Sequence, residues 1–447
     1  MIKIDKVQCI VVGAGPAGAA CAHVLAKKGI EVVVLERGRK VGEKNVAGFV
    51  LFTPVLEYLI PGCREKAPLE RNITRFDTID MDEDYFNVSQ RYIYSYRDDP
   101  LCFSAFRGKF DPWFAMEAQK AGAELIAGQT VTDLIFDKNR VVGIKTEDEE
   151  LYADVVVGAD GIHSVVAEKT GLKKDPGKMY LIVKEILDLP PDVINQRFRL
   201  REGEGCTVEG EFELDVENLV TLYTNKDSVS MALDCVAEDL IDEKAKAHDL
   251  LEEVKSHPYL HSLLEGASLR EYQAHDETIN REPLKPESMY GDGVLLCGEA
   301  GKIIDMWGTG VPPSILSGMM AAQTVEMAVQ KNDFSKKTLK NYINFLDSTS
   351  LWRTMFESGK QEGYNEIIAD IMEKSHRRYY DFSRREPYPL WKDIYFQIGK
   401  DFTPFFLHWI IAGWLHFSSF CSSLYNKIKK IFKNRYYEWK KDYERKQ

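Results

Sequence analysis

Residues 7–36 read VQCIVVGAGPAGAACAHVLAKKGIEVVVLE. The apolar run Val7–Val12 predicts a short strand buried on both faces. Gly13, Gly15 and Gly18 then give G-x-G-x-x-G, with Pro16 and Ala17 inside it. In such a loop the first glycine turns off the strand. The second lets backbone approach a pyrophosphate, and the third lets the helix pack on the sheet. The helix that starts here points its N–H groups and positive dipole end at the phosphates. It is expected to run to about Lys28 and stop at Gly29, a C-cap. A second strand, Val32–Leu35, ends in Glu36, and Arg37 follows. The Glu36 carboxylate is positioned to accept from both ribose hydroxyls of an adenosine, and it argues against a 2′-phosphate. These features predict a dinucleotide-binding βαβ unit. They do not separate FAD from NAD.

The bulk numbers bound the rest. A chain of 447 residues exceeds one hydrophobic core and predicts two or three lobes. The formal net charge of −12 excludes nucleic acid as the main partner, because phosphate binding needs a basic face. No two of the eight cysteines have CxxC spacing, which argues against an iron–sulfur cluster or structural zinc carried by this chain. They read as reduced, buried thiols of a cytosolic protein. The apolar run Cys9–Val12 leads into a glycine turn, so it reads as a strand and not as a signal peptide.

Two later segments repeat the pattern of a strand ending at glycine. Asp154–Gly161, DVVVGADG, ends in Asp160 and Gly161, with His163 and Ser164 just beyond. Gly291–Gly301, GDGVLLCGEAG, carries Gly298 and Glu299, and KIIDMWGTGVPP follows with Gly308, Thr309 and Gly310. A helix is expected through Ser314–Ala322 and onward. With these segments the chain resembles the glutathione-reductase-type flavoproteins of the geranylgeranyl reductase and electron-transfer-flavoprotein:quinone oxidoreductase group. The resemblance implies FAD. It implies that Glu299, one methylene longer than the family's aspartate, binds the ribityl chain. It also implies that Gly308-Thr309-Gly310 lays a helix N-terminus against the flavin, favouring negative charge on its reduced form.

Further segments resemble FixC-type flavoproteins in particular. They are Lys44, Asn45 and Val46 within GEKNVAGFVLFTPVLEYLIPG, then RGKFDPW from Arg107, then VKEILDLPPDVINQRFR from Val183. The resemblance implies that Lys44 and Asn45 meet the flavin edge and that Arg107 meets FAD or phosphate, for which a guanidinium is suited. The competing reading of Arg107 is a surface pair with Asp111 one helical turn on. His163 is either a loop residue or, through its pKa near neutrality, a catalytic one. Cys297 reads as packing. Trp307 either stacks near the flavin or packs. The stretch KIIDMWGTGVPP departs from the family, which usually has asparagine, tyrosine and arginine near the flavin.

The fold class expected is α/β: a Rossmann-type FAD-binding domain of glutathione-reductase type, an antiparallel β-sheet substrate domain, and a helical C-terminal membrane-association segment. Residues 1–171 and 286–330 are assigned to the FAD domain. Residues 172–285 form the substrate or quinone-side sheet, 331–401 a helical region, and 402–447 the membrane-associating segment. Alternation in Cys206–Leu214 and Leu219–Leu233 predicts antiparallel strands with one exposed face, covering the flavin. Glu238–Leu264 reads as one or two helices with a solvated charged face.

Residues 402–425, FTPFFLHWIIAGWLHFSSFCSSLY, contain no Asp, Glu, Lys or Arg. The remaining 22 residues hold nine Lys or Arg against three Asp or Glu. A transmembrane helix, a helix or hairpin lying in one leaflet with the basic tail on anionic headgroups, and an apolar helix pair closing the core all compete. The second fits the serine-rich half best and implies a peripheral protein on the cytoplasmic face of the cell membrane.

The resemblance implies electron flow from a two-subunit electron-transfer flavoprotein to a membrane quinone. A separate ferredoxin-like protein would carry any cluster. Rival functions are a polyprenyl reductase saturating lipid C=C bonds, a non-catalytic relay subunit, and a flavin hydroxylase.

Overall fold

The computed structural model describes residues 6–43, 48–81, 86–172, 179–212, 214–278, 286–303 and 310–349. Lys44, Asn45, Val46, Trp307, Gly308, Thr309 and the whole of 402–447 lie outside them.

The first sheet runs in the order Tyr290–Gly291, Val294–Leu296, Glu150–Gly158, Val7–Val12, Val32–Glu36, Glu124–Ala127. The last five strands pair in parallel, with Val11 opposite both Val34 and Val157. The continuous apolar runs follow from this placement. Alternate residues feed two different cores. Cys9, Val11, Val34 and Val157 face one core, covered by the helices Pro16–Lys27, Arg107–Lys120 and Val311–Lys331. Ile10, Val12, Val33 and Val156 face the other, closed by the hairpin Val131–Asp137/Arg140–Thr146.

The first helix ends at Lys27, one residue before the expected end, and Gly29 follows at φ +73°. The expected strands at 154–161 and 294–297 are Glu150–Gly158 and Val294–Leu296. The expected Ser314–Ala322 helix extends over Val311–Lys331.

The second sheet runs Ser268–Thr278, Met179–Asp188, Ser228–Val236, Asn218–Thr224, Glu204–Phe212, Leu69–Met81, Cys102–Phe106, Gly48–Phe52, and Phe86–Tyr92 pairs with Leu69–Met81. Strands from 48–106, a stretch the sequence had put in the FAD domain, therefore build four of the nine described strands of this sheet. The seam is Glu204–Phe212 on Leu69–Met81, which pair in parallel. The single alternation read over Leu219–Leu233 is a hairpin, Asn218–Thr224/Ser228–Val236, turning at Asn225. Its second strand, which lies between Met179–Asp188 and Asn218–Thr224, is buried almost throughout, so no exposed face runs along it. Three helices, Ala237–Asp242, Ala247–Ser256 and Pro258–Leu264, cover one face through Leu251, Val254 and Leu260. On the other face Tyr180, Ile182, Ala232 and Val236 form a second buried cluster. The Glu238–Leu264 helices are thus three, with an apolar face inward. Among the described residues no helix is long and apolar enough to cross a membrane.

Candidate cofactor site

The turn after Val12 is set by steric contacts. Gly13 sits at φ +101°, and a Cβ there would lie 2.4 Å from the Ala159 carbonyl oxygen. A Cβ on Gly18 would lie 1.9 Å from the Gly13 carbonyl oxygen, so only glycine lets the helix come this close. Gly15 is different: no atom lies within 4 Å of where its Cβ would be. Its backbone borders open space at the N-terminus of Pro16–Lys27, and no side chain caps that helix. Uncapped N–H groups beside an open glycine are what a pyrophosphate requires. The site therefore fits a dinucleotide cofactor.

Glu36 folds over this turn. Its Oε2 accepts from Ala14 N at 3.0 Å and its Oε1 from Gly38 N at 2.7 Å. Arg37 points to solvent. The path then bends at Gly42, whose Cβ position is 3.1 Å from the Arg107 carbonyl oxygen. Arg107 opens the helix Arg107–Lys120 and is bound by Asp111. This is the i,i+4 pair that the spacing allowed, but Asp111 is buried and the pair is not a surface feature. The guanidinium also lies 5.8 Å from the Phe49 ring centroid.

The Asp160 turn lies beside the Gly13 turn, where a Cβ on Gly13 would be 3.1 Å from the Asp160 Cα. Ser164 Oγ donates to Asp160 Oδ1 at 2.6 Å, and Val166 N donates to Oδ2 at 3.2 Å. Asp160 thus holds the start of the short helix Val165–Lys169, a task the sequence did not reveal. Burial pushes its carboxyl above the usual aspartate range, with these hydrogen bonds partly offsetting. Gly161, at φ +75°, lets the turn close.

Glu299 comes between two predicted glycines. Its carboxylate oxygens lie 3.7 Å from the Cβ position of Gly161 and 3.6 Å from that of Gly310. The sequence did not single out what positions it. Ser317 Oγ accepts from Gly298 N at 2.9 Å and donates to Ser314 O. Gly318 lets the helix Val311–Lys331 approach Ala17, since a Cβ there would lie 2.1 Å from the Ala17 carbonyl oxygen. Gly310 marks the N-terminus of that second helix, with no acid in its first turn and no side-chain cap.

The structure thus gathers Gly13, Gly15, Pro16, Ala17 and Gly18 with Asp160, Gly161, Gly298, Glu299 and Gly310, and it brings Arg107 next to Gly42. His163 is a loop residue whose Nε2 lies 2.8 Å from Asp276 Oδ2 of the second sheet. Cys297 is buried, and burial pushes its thiol far up, as packing implies.

Protein FixC of Escherichia coli K12 is 37 % identical over 363 residues, covering 78 % of this chain and 83 % of FixC. The chain belongs to the FixC family. A second relative, the probable electron transfer flavoprotein-quinone oxidoreductase YdiS of the same organism, is 34 % identical over 387 residues, 82 % of this chain and 90 % of YdiS. A family profile described as pyridine nucleotide-disulphide oxidoreductase matches residues 7–187. Among solved structures, a geranylgeranyl bacteriochlorophyll reductase-like protein from Thermoplasma acidophilum superposes with a TM-score of 0.65 at 18 % identity, covering 89 % of this chain and 98 % of that one. That likeness speaks to the fold alone. This FixC-family chain is an FAD-dependent oxidoreductase.

Proposed function

We propose that the chain takes electrons from a two-subunit electron-transfer flavoprotein and delivers them to a membrane quinone. The observation that carries this reading is the likeness to YdiS, which covers 82 % of this chain and is named a probable electron transfer flavoprotein-quinone oxidoreductase. FAD, when bound, supplies two-electron chemistry and the means to pass single electrons. The chain supplies binding, orientation and exclusion of water.

In this reading Gly13, Gly15, Pro16, Ala17 and Gly18 cradle the pyrophosphate, and Glu36 takes the adenosine ribose with Arg37 at its outer edge. Asp160 and Gly161 close the turn beside the ribityl chain, which Glu299 holds after Gly298 sets its backbone. Gly308, Thr309 and Gly310 bring a helix N-terminus to the flavin, where its partial positive charge favours the reduced anion. Lys44, Asn45 and Val46 meet the flavin edge, and Arg107 meets FAD or its phosphate. Residues 402–447 rest in one leaflet at the cytoplasmic face, the basic tail on anionic headgroups, so the quinone arrives from the bilayer. A separate ferredoxin-like protein completes the chain of carriers.

The test is an anaerobic titration of the detergent-held holoprotein with a short-chain quinol, watching flavin absorbance, with dithionite as the control. Bleaching by quinol, reversed by the quinone, is the expected result. Bleaching by dithionite alone, with no reoxidation by quinone, overturns the quinone reading and moves the polyprenyl reductase into its place.

A further inference from the structure

Gly48 opens the strand Gly48–Phe52 and pairs with Phe106, the residue before Arg107. The helix that starts after Gly310 packs on the same strand. Gly48 therefore lies where the cofactor site meets the second sheet.

Two hydroxyls from that sheet converge on it. A Cβ on Gly48 would lie 2.5 Å from Tyr223 Oη and 2.8 Å from Ser230 Oγ. Tyr223 and Ser230 are direct cross-strand partners, so the approach is fixed by register. Asn225 Nδ2 donates to Ser230 Oγ at 2.9 Å and to Ser228 Oγ at 3.2 Å. The Ser230 oxygen is thereby used as an acceptor. Tyr223 is 4 % exposed, and its hydroxyl makes no hydrogen bond of good geometry among the described residues. A buried hydroxyl without a partner is a cost to the fold that an acceptor on a ligand would offset.

We propose that Tyr223 is a hydrogen-bond donor to a ligand carbonyl oxygen at this face, oriented through Ser230 and Asn225. Burial drives the Tyr223 phenol above its usual range, with the Ser230 hydroxyl offsetting part of the rise and Asp234 adding to it. A phenol that stays protonated is a donor, and a carbonyl oxygen can accept from it. Two carbonyl-bearing groups meet here under the function proposed above, on which this inference rests: the flavin and the quinone.

Tyr223→Phe separates the sources through two readouts other than turnover. The first is the midpoint potential of the bound flavin. The second is the dissociation constant of a short-chain quinone, followed by flavin fluorescence. If the flavin carbonyl is the acceptor, the potential shifts by about 30 mV, a tenfold change in relative affinity for a two-electron couple, and quinone binding holds. If the quinone is the acceptor, its dissociation constant rises about tenfold and the potential holds. If neither moves, the proposal is overturned. Failure of the wild type to bind quinone sinks the proposed function but leaves the potential to decide this one. Folding is checked on the cofactor-free protein, where Tyr223→Phe melts no lower than wild type. A clear drop means that the hydroxyl has a protein partner, which also overturns the proposal. Ser230→Ala is expected to act in the same direction and more weakly.

Discussion

Asp111 takes the Arg107 guanidinium at two points, Nε on Oδ1 at 2.9 Å and Nη2 on Oδ2 at 3.0 Å, from a side chain that is 0 % exposed. A buried carboxylate stripped of its cation is costly, while a guanidinium 22 % exposed recovers part of the loss in water. Arg107→Ala is expected to destabilise the cofactor-free protein by about 2–4 kcal/mol in urea unfolding. Asp111→Asn removes the carboxylate charge but keeps an oxygen that can accept from Arg107, and it should lower stability without weakening FAD binding. If Asp111→Asn weakens FAD as much as Arg107→Ala does, Arg107 reaches FAD only through that pair.

Gly15 and Gly18 make opposite predictions. Gly15→Ala meets no atom within 4 Å and keeps an extended backbone that alanine adopts, so the cofactor-free protein is expected to be unchanged or about 0.5 kcal/mol more stable. FAD affinity should nevertheless fall by about tenfold or more, because the methyl stands where the pyrophosphate approaches. Gly18→Ala drives a Cβ to 1.9 Å from backbone and should cost about 3 kcal/mol before any cofactor is added. Calorimetry without FAD and fluorescence titration with it read the two effects apart.

Ser317→Ala leaves the Gly298 N–H buried without its acceptor. The expected cost is about 1–3 kcal/mol in thermal unfolding. A weaker grip on FAD should accompany it, because Glu299 follows Gly298 directly. Unchanged FAD affinity in this variant would separate Glu299 from the ribityl chain.

His23 gives a pH dependence with a definite sign. Its Nδ1 lies 3.0 Å from the Glu117 carbonyl oxygen, and burial lowers the imidazole pKa below 6.5. The folded state resists the proton that the unfolded state accepts, so this contribution is present above the unfolded pKa. It is lost as pH falls from 6.5 through the folded value. His23→Gln, which keeps a donor to Glu117, should remove that slope. Urea midpoints between pH 7.5 and 5 (on the order of the window where histidine titrates) would fall more steeply in wild type than in the variant.

The unit over 7–36 was legible almost residue by residue, because its signals are local: an apolar run, three spaced glycines, and an acid after the second run. Glu36, Gly161 and Glu299 were legible as motif ends. What stayed hidden depends on distant pairing. Nothing within Leu69–Met81 announces a parallel partner at Glu204–Phe212, so the four strands between 48 and 106 were not read as strands of the second sheet, and their residues were counted with the FAD domain. The burial of both faces of Ser228–Val236 was missed because its polar residues are satisfied inside the protein, as Ser230 is by Asn225. Tyr223 carries no motif at all, and only its register opposite Ser230 and its reach to Gly48 give it meaning.

The parallel seam between Leu69–Met81 and Glu204–Phe212 also has a consequence for birth on the ribosome. Translation delivers the earlier strand long before its neighbour, so one rim of a half-made sheet waits bare while the chain adds further strands to the nucleotide fold. That interval is the time when a nascent chain is open to mispairing with another. Slow codons placed after residue 81 would lengthen the wait, and the expected sign is more insoluble product, not slower electron transfer.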